Sequence, residues 1–391
     1  MKIAYLLGSL NRGGTETLLL DVFRNTKSQG LDAIGIYRKT GVLEKEFQES
    51  GLANYKLPET KNPIKKILLL RKLFLKNNIQ IAHAQQPIDS LYARLASLGT
   101  SIKIILTLHG YDFESKGLSL GILKYIIRRT SANIYVSNSQ MQYYQEKYKL
   151  DIQKQSLVYN GISFDKLDRG ITHPMTLSHP MSNSSTIQAA SLSRIPKENP
   201  FRTELQLSTE TLLLGSVGNF NEVRDQFTIC RFLKLLNEQK VDFHFVFVGQ
   251  RVKRTPQYYD ECFTYCQQNV LFEKVTFLGS RNDVPQILNE LNAFIYSTDH
   301  DTFGIAVVEA MAVGIPVFVN DWGVMNEITE DGKYATVYKT KDEADLLRQF
   351  MLFLQNEETF QEKAKDAAIY VRQKFSIENH IQQLKSLYSS L

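Results

Sequence analysis

The run Asp301-Thr302-Phe303-Gly304-Ile305-Ala306-Val307-Val308-Glu309 combines two carboxylates with an aromatic-glycine pair at an expected helix start. Amides of Phe303, Gly304 and Ile305 at the positive end of a helix suit phosphate oxygens. Asp301 and Glu309 suit the hydroxyls of a sugar or ribose, because carboxylates accept hydrogen bonds in fixed directions. Taken alone, the acid pair is equally two solvated charges. Three further segments carry comparable chemistry. Asn11-Arg12-Gly13-Gly14-Thr15-Glu16 allows close backbone approach to a ligand, although an ordinary turn capped by Thr15 has the same composition. Thr107-Leu108-His109-Gly110-Tyr111-Asp112 offers a histidine that polarises a reacting group, with Asp112 as a nearby acceptor, or that bonds its own backbone. The segment from Gly215 to Asp225 holds Arg224, whose guanidinium fork matches a diphosphate or simply faces water.

These segments follow β-rich runs. Strands are expected at Ile3 to Leu7, Ala33 to Tyr37, Ile79 to Ala84, Lys103 to Leu108, Asn133 to Val136 and Ser156 to Tyr159, with helices such as Thr15 to Ser28 and Ile64 to Lys76 between them. The rhythm breaks from about Ser163 to Pro200, where Ser, Pro, Asn and Thr accumulate as in a linker. It resumes with strands at Leu212 to Val217, Phe243 to Val248, Val275 to Leu278, Ala293 to Tyr296 and Ile315 to Val319. The tail from Lys341 is helical, and Ser376 caps its last helix. The expected division is a first domain over residues 1–162, a linker over 163–210, a second domain over 211–375 and a closing helix over 376–391 that returns to the first domain. Ligands of open α/β sheets bind at the carboxyl ends of the strands, so two such domains face to face enclose a cleft.

Composition narrows the classes. The chain has 391 residues, 43% hydrophobic and 22% charged, which is enough for two packed domains. A net charge of +5 is too small a bias to imply nucleic acid. Cys230, Cys262 and Cys266 are expected to be reduced packing residues. The apolar run at the start stops at Gly8, too short for a signal peptide, and no stretch reaches membrane-spanning length; a cytoplasmic protein is expected. Lys61, Lys65, Lys66, Arg71, Lys72 and Lys76 surround Ile64, Leu68 and Phe74, a pattern either of a crossover helix or of peripheral contact with an anionic membrane.

Asp301 to Glu309, followed by a helix ending in Gly314-Ile315-Pro316, resembles the nucleotide-binding signature of family 4 glycosyltransferases. Gly13-Gly14-Thr15-Glu16, His109-Gly110, Val217-Gly218 and Glu327-Ile328 extend the resemblance. It implies an α/β fold called GT-B: two facing Rossmann-like, doubly wound parallel-sheet domains with a cleft between them and a helical C-terminal tail. It also implies retaining transfer of a hexosyl group from a UDP- or GDP-sugar to a saccharide or lipid-linked acceptor, in polysaccharide or lipopolysaccharide synthesis, with no cofactor required. Carried over, Gly13, Gly14, Thr15 and Arg224 contact the diphosphate with Phe303, Gly304 and Ile305. Glu309 contacts ribose, Asp301 contacts the sugar, and His109 lies beside the anomeric carbon; His109, Asp301 and Arg224 are then the catalytic residues. Two departures stand out. Asn219 occupies a position usually held by arginine, so that Arg251 or Arg281 is expected to supply the missing charge, and Asp301 replaces the usual glutamate. Asp299-His300-Asp301 also matches a metal-binding Asp-x-Asp pattern, but the signature accounts for Asp301 without a metal. A non-catalytic nucleotide-binding partner subunit and a sugar-nucleotide epimerase are the rival readings.

Overall fold

The computed structural model describes residues 1–113, 115–168 and 200–391. The first sheet contains β1 (Lys2–Ser9), β2 (Asp32–Lys39), β3 (Ala53–Lys56), β4 (Ile81–Ala84), β5 (Lys103–Leu108), β6 (Ala132–Tyr135) and β7 (Gln155–Leu157), in the order β3-β2-β1-β4-β5-β6-β7. The second contains β8 (Leu212–Val217), β9 (Phe243–Val248), β10 (Val275–Gly279), β11 (Ala293–Tyr296), β12 (Val317–Asn320) and β13 (Thr336–Tyr338), ordered β10-β9-β8-β11-β12-β13. All the pairings are parallel. A parallel sheet is covered by crossover helices on both faces, which is why β4, β6, β9 and β11 are buried along their whole length. In each sheet the order reverses beside the first strand, between β1 and β4 and between β8 and β11. Ligand crevices of open sheets lie at such points.

Side-chain caps fix where the crossover helices begin. Asn62 accepts from the amides of Ile64 and Lys65 ahead of helix Pro63–Lys76, and Asp225 accepts from Thr228 at the start of helix Gln226–Glu238. Ser376 accepts from the Asn379 amide and starts the last helix, Ile377–Ser389. That helix lays Ile377, Ile381, Leu384 and Tyr388 into the same core as Ile3 and Tyr5 of β1 and Leu18 and Phe23 of helix Gly14–Asn25. The chain crosses over where the Ile162 amide donates to the Phe375 carbonyl and the Ile377 amide to the Ile162 carbonyl.

Several expectations are corrected. β3 and β13 were not foreseen because both are short edge strands, and Ala53–Lys56 has no fully buried position to mark it. Part of the expected linker is helical. Helices Asp165–Asp168 and Pro200–Glu204 lie within it, and Phe201 and Leu167 are core residues. The remainder of that linker, residues 169–199, lies outside the described residues. Among the described residues no helix is long and apolar enough to cross a membrane.

Candidate active-site cleft

Two helix starts face each other between the sheets. After β1 the chain turns through Gly13, and helix Gly14–Asn25 begins at the carboxyl edge of the first sheet. A Cβ on Gly13 would meet the Glu16 carboxylate at 2.7 Å, and one on Gly14 would meet Ile305 Cδ1 of the second domain at 3.3 Å. Ile305 opens helix Ile305–Ala312, preceded by Gly304 at φ +85°, a left-handed conformation in which a Cβ would also strike Met325 at 2.8 Å. The first amides of an α-helix have no partner within it, so two positive ends converge here. Glu309 lies half-buried one turn further along the second helix.

Three contacts close the cleft. Thr302 Oγ1 donates to the His109 carbonyl at 2.9 Å. Phe113 packs edge-on against His300 at 5.4 Å between ring centroids. The Glu327 carboxylate, from helix Gly323–Thr329 of the second domain, reaches the start of helix Asn138–Tyr148 in the first. It accepts from the amides of Asn138 (2.6 Å) and Ser139 (3.1 Å), from Ser139 Oγ (3.1 Å) and from the Tyr159 hydroxyl (2.8 Å). A carboxylate at a helix amino end gains from both hydrogen bonds and the helix dipole.

Cavities flank His109 on both sides. One of about 250 Å³ is lined by Thr15, Glu16, Gln85, Gln86, Thr107 and His109 among others, all from the first domain. The other, about 220 Å³, lies between the domains against His109, Tyr111, Phe113, Glu222, His300 and Asp301. His109 Nε2 is 2.7 Å from Gln85 Oε1. Burial, helped by the neighbouring His380, pushes its pKa down to about 4, so the ring is neutral at physiological pH. Burial raises the pKa of Glu16, which shares the first cavity.

Asp301 is held firmly. Its carboxylate accepts from the Tyr296 hydroxyl and from the amides of Thr302 (2.7 Å) and Phe303 (3.3 Å), and its carbonyl accepts from Trp322 Nε1 (3.1 Å). The Phe303 amide therefore serves the Asp301 turn, and its ring, 2% exposed, packs on Phe375 and Tyr159. Phe303 thus supports the turn; the amides at the helix start proper belong to the residues that follow it.

Arg224 departs most from expectation. Its guanidinium is buried over the Tyr296 ring at 3.6 Å, donates to the Val217 carbonyl at 2.7 Å and lies 3.7 Å from the Asp301 carboxylate. Burial lowers its pKa to about 10, against the opposing charge of Asp301. It lines neither cavity beside His109. In this structure it braces Asp301 from beneath, because the bare Gly218 leaves room for it: a Cβ there would meet the guanidinium at 2.3 Å.

The other basic and polar candidates are engaged elsewhere. Asn219 Oδ1 accepts from the Gln250 amide at 2.9 Å, tying the loop after β8 to that after β9. Arg281 makes paired bonds to Glu204 (2.7 and 2.9 Å) and Asp283 (2.8 and 2.6 Å), which fasten helix Pro200–Glu204 to the second domain. Arg251 pairs with Asp260. Neither arginine lines the cavities beside His109. Asp112 is turned away from His109 to Tyr143, Lys147 and Tyr148. Asp299 pairs with Lys341 while Asp301 faces Arg224, so the two carboxylates of the Asp-x-Asp run have different partners. Among the described residues no group of three or more His, Cys, Asp or Glu is placed to hold a metal ion.

Sequence reasoning left out Gln85, Thr302 and Glu16 as site residues. Glu16, in the first turn after Gly13-Gly14, was within reach of that reasoning. Gln85 and Thr302 become visible only when the sheets bring β4 beside β5 and the domains face each other.

Comparison with known proteins bears on the family and the fold. The family model described as Glycosyl transferases group 1 matches residues 197–374, and that of Glycosyltransferase Family 4 matches residues 12–166. The chain is 24% identical to an N-acetyl-alpha-D-glucosaminyl L-malate synthase of Bacillus anthracis, over 80% of this chain and 75% of the relative. It is 21% identical to an Escherichia coli UDP-Gal:alpha-D-GlcNAc-diphosphoundecaprenol alpha-1,3-galactosyltransferase, over 82% and 79%. Among solved structures, Anabaena Alr3699/HepE in complex with UDP and glucose superposes with a TM-score of 0.82 at 17% identity, covering all of both chains.

Proposed function

We propose that this chain, which belongs to the family 4 glycosyltransferases and has their two-domain GT-B fold, is a retaining enzyme that moves a hexosyl group from a UDP- or GDP-sugar to an acceptor hydroxyl. The observation that carries the proposal is the convergence of two helix starts, at Gly14 and Ile305, so close across the cleft that a Cβ on Gly14 would lie 3.3 Å from Ile305 Cδ1. A diphosphate lodged beside this convergence meets backbone amides from both domains, and this compensates for an arginine drawn into the interior and an asparagine at the usual arginine position. Glu309 takes the ribose, Asp301 the sugar hydroxyls, and His109 lines the wall between donor and acceptor.

In the transfer the bond from the anomeric carbon to the phosphate oxygen breaks and one to the acceptor oxygen forms. The acceptor proton passes to the leaving phosphate, so no protein nucleophile is required. The acceptor is a saccharide or a lipid-linked saccharide, as the galactosyltransferase relative's name suggests for that protein. Work at the inner face of the cytoplasmic membrane fits helix Pro63–Lys76. Ile64, Leu68 and Leu75 are 66, 60 and 53% exposed there, beside exposed Lys61, Lys65, Lys72 and Lys76. Binding to anionic vesicles at low salt that is lost in Ile64→Ser/Leu68→Ser supports this contact; wild-type protein that ignores such vesicles refutes it.

The function is tested by incubating the purified chain with UDP- and GDP-sugars, with and without saccharide and lipid-linked acceptors, and reading products by NMR. Transfer with the donor's anomeric configuration, undiminished by EDTA, is the expected result. Inverted product or a strict Mn²⁺ requirement contradicts the mechanism. Nucleotide binding without turnover identifies a partner subunit, and donor conversion without an acceptor identifies an epimerase.

A further inference from the structure

Beneath His109 lies a small cavity of about 10 Å³, at the lower limit for one water molecule, with a mostly apolar wall broken by a few polar groups. Its walls come from β1, β4, β5, the strand ends near Val158 and the last helix, and they include Gln85, His109, Asn160 and His380. Gln85 and Asn160 are each 6% exposed, and Gln85 Nε2 and Asn160 Oδ1 are buried without a hydrogen-bond partner. His380 Nδ1 lies 2.6 Å from the Tyr159 carbonyl. A carbonyl only accepts, so Nδ1 carries the proton and Nε2 of the neutral ring is an acceptor.

One donor and two acceptors thus line a space of water size. A single water matches them, accepting from Gln85 Nε2 and donating to Asn160 Oδ1 and His380 Nε2. We infer that Gln85 is a positioning residue for His109, oriented through this buried water by Asn160 and His380, so that His109 is held as its Nε2-protonated tautomer. With the amide nitrogen of Gln85 turned to the water, its Oε1 faces His109 Nε2 at 2.7 Å and accepts the proton there. Nδ1 is then the basic nitrogen of the ring. The low pKa of His109 keeps the ring neutral, so a single nitrogen carries the proton.

The arrangement gives the last helix a task at the cleft. Having crossed from the second domain, it delivers His380 to the floor of the first, between Ile377 and Ile381, which pack into the core of the first domain. Next to it a separate relay, His83 to Thr107 (2.6 Å) and to Tyr388 (2.7 Å), fixes the strand ends that carry Gln85 and His109. The inference rests on reading His109 as the residue beside the transfer centre, but its test does not.

The test is ¹⁵N-histidine NMR of the full chain at neutral pH, with the His109 signals assigned by their loss in His109→Asn. Wild type is expected to show a protonated Nε2 and a bare Nδ1 in a single tautomer. Gln85→Leu is expected to average the two signals, and Gln85→Glu, which keeps an acceptor, to restore the protonated Nε2. His380→Phe is expected to move the His109 signals toward the averaged pattern. His83, bonded to Thr107 and Tyr388 in the first domain, reports that each variant has folded. A wild-type His109 protonated on Nδ1 overturns the inference, as does an unchanged pattern in Gln85→Leu. Should Gln85→Leu fail to fold, the wild-type and Gln85→Glu spectra decide. Loss of the tautomer with transfer intact, or of transfer with the tautomer intact, separates this inference from the proposed function.

Discussion

At the level of single residues, the cleft depends on groups whose roles differ from those their types suggest. Arg224 has the chemistry of a phosphate ligand and the location of a brace. Its removal leaves the Asp301 carboxylate without its buried partner and the Tyr296 face bare, a loss of about 3 to 5 kcal/mol where an ion pair is broken from one side. We expect Arg224→Ala to lower the unfolding free energy by several kcal/mol in urea titration, whereas a surface arginine would change it by about 0.5 kcal/mol or less. Unaltered stability with lost nucleotide affinity would return Arg224 to the phosphate. Gly14 makes the opposite case, since it contributes only the absence of a side chain. Gly14→Leu should weaken donor binding tenfold or more, about 1.4 kcal/mol, with the melting temperature unchanged, because the added atoms meet Ile305 across the cleft. The chemistry of these residues could be read from the sequence, but their orientation could not. Nothing in the spacing of Gly218 and Arg224 says that the side chain folds back under the loop.

Among the elements, helix Asn138–Tyr148 couples the domains because its amino end is capped twice, by Ser137 from its own chain segment and by Glu327 from the second domain. Charge-assisted bonds of this kind contribute about 1.5 to 3 kcal/mol each when buried, less with partial exposure. Glu327→Leu should therefore uncouple the domains, splitting a single calorimetric transition into two, whereas Glu327→Gln should retain part of the coupling through its carbonyl. A single unshifted transition in Glu327→Leu would show that the clasp is incidental. The central strands were legible because parallel strands covered on both faces are runs of apolar residues, as in Phe243–Val248 and Ala293–Tyr296. Edge strands lack that signature, and Ala53–Lys56 and Thr336–Tyr338 show only by pairing with β2 and β12. Helix Pro200–Glu204 escaped notice because five residues give no period; Arg281 and the burial of Phe201 hold it in place.

For the whole molecule, the first domain contains two buried histidines, His83 and His380, and the half-buried His109, whose pKa values desolvation lowers to about 3, 4 and 4 respectively. In the unfolded chain each titrates near 6.5, so below that pH the unfolded state binds protons that the folded state refuses. Stability is therefore full above pH 6.5 and falls as the pH drops toward 4, by up to about 1.4 kcal/mol per pH unit for each histidine. Urea titrations at pH 7 and 5, where most carboxylates stay ionised, should show this loss, and replacing His83 with glutamine should reduce it; equal stability at the two pH values would contradict the assignment. Domain count and the general place of the cleft were evident from the alternating strands and helices, since ligand loops follow strand ends. The closing of the cleft was not, because it depends on Thr302, Glu327 and the returning helix meeting partners more than 180 residues away. The central claim is that a nucleoside diphosphate is held where the helix starts at Gly14 and Ile305 converge, with Glu309 at its ribose. Calorimetric titration of wild type, Gly14→Leu and Glu309→Ala with UDP and GDP tests it most directly. The predicted result is one site per chain for one of the two nucleotides, weakened at least tenfold by either substitution although they lie in different domains; wild-type protein that binds neither nucleotide, or binding that both variants leave intact, would contradict it.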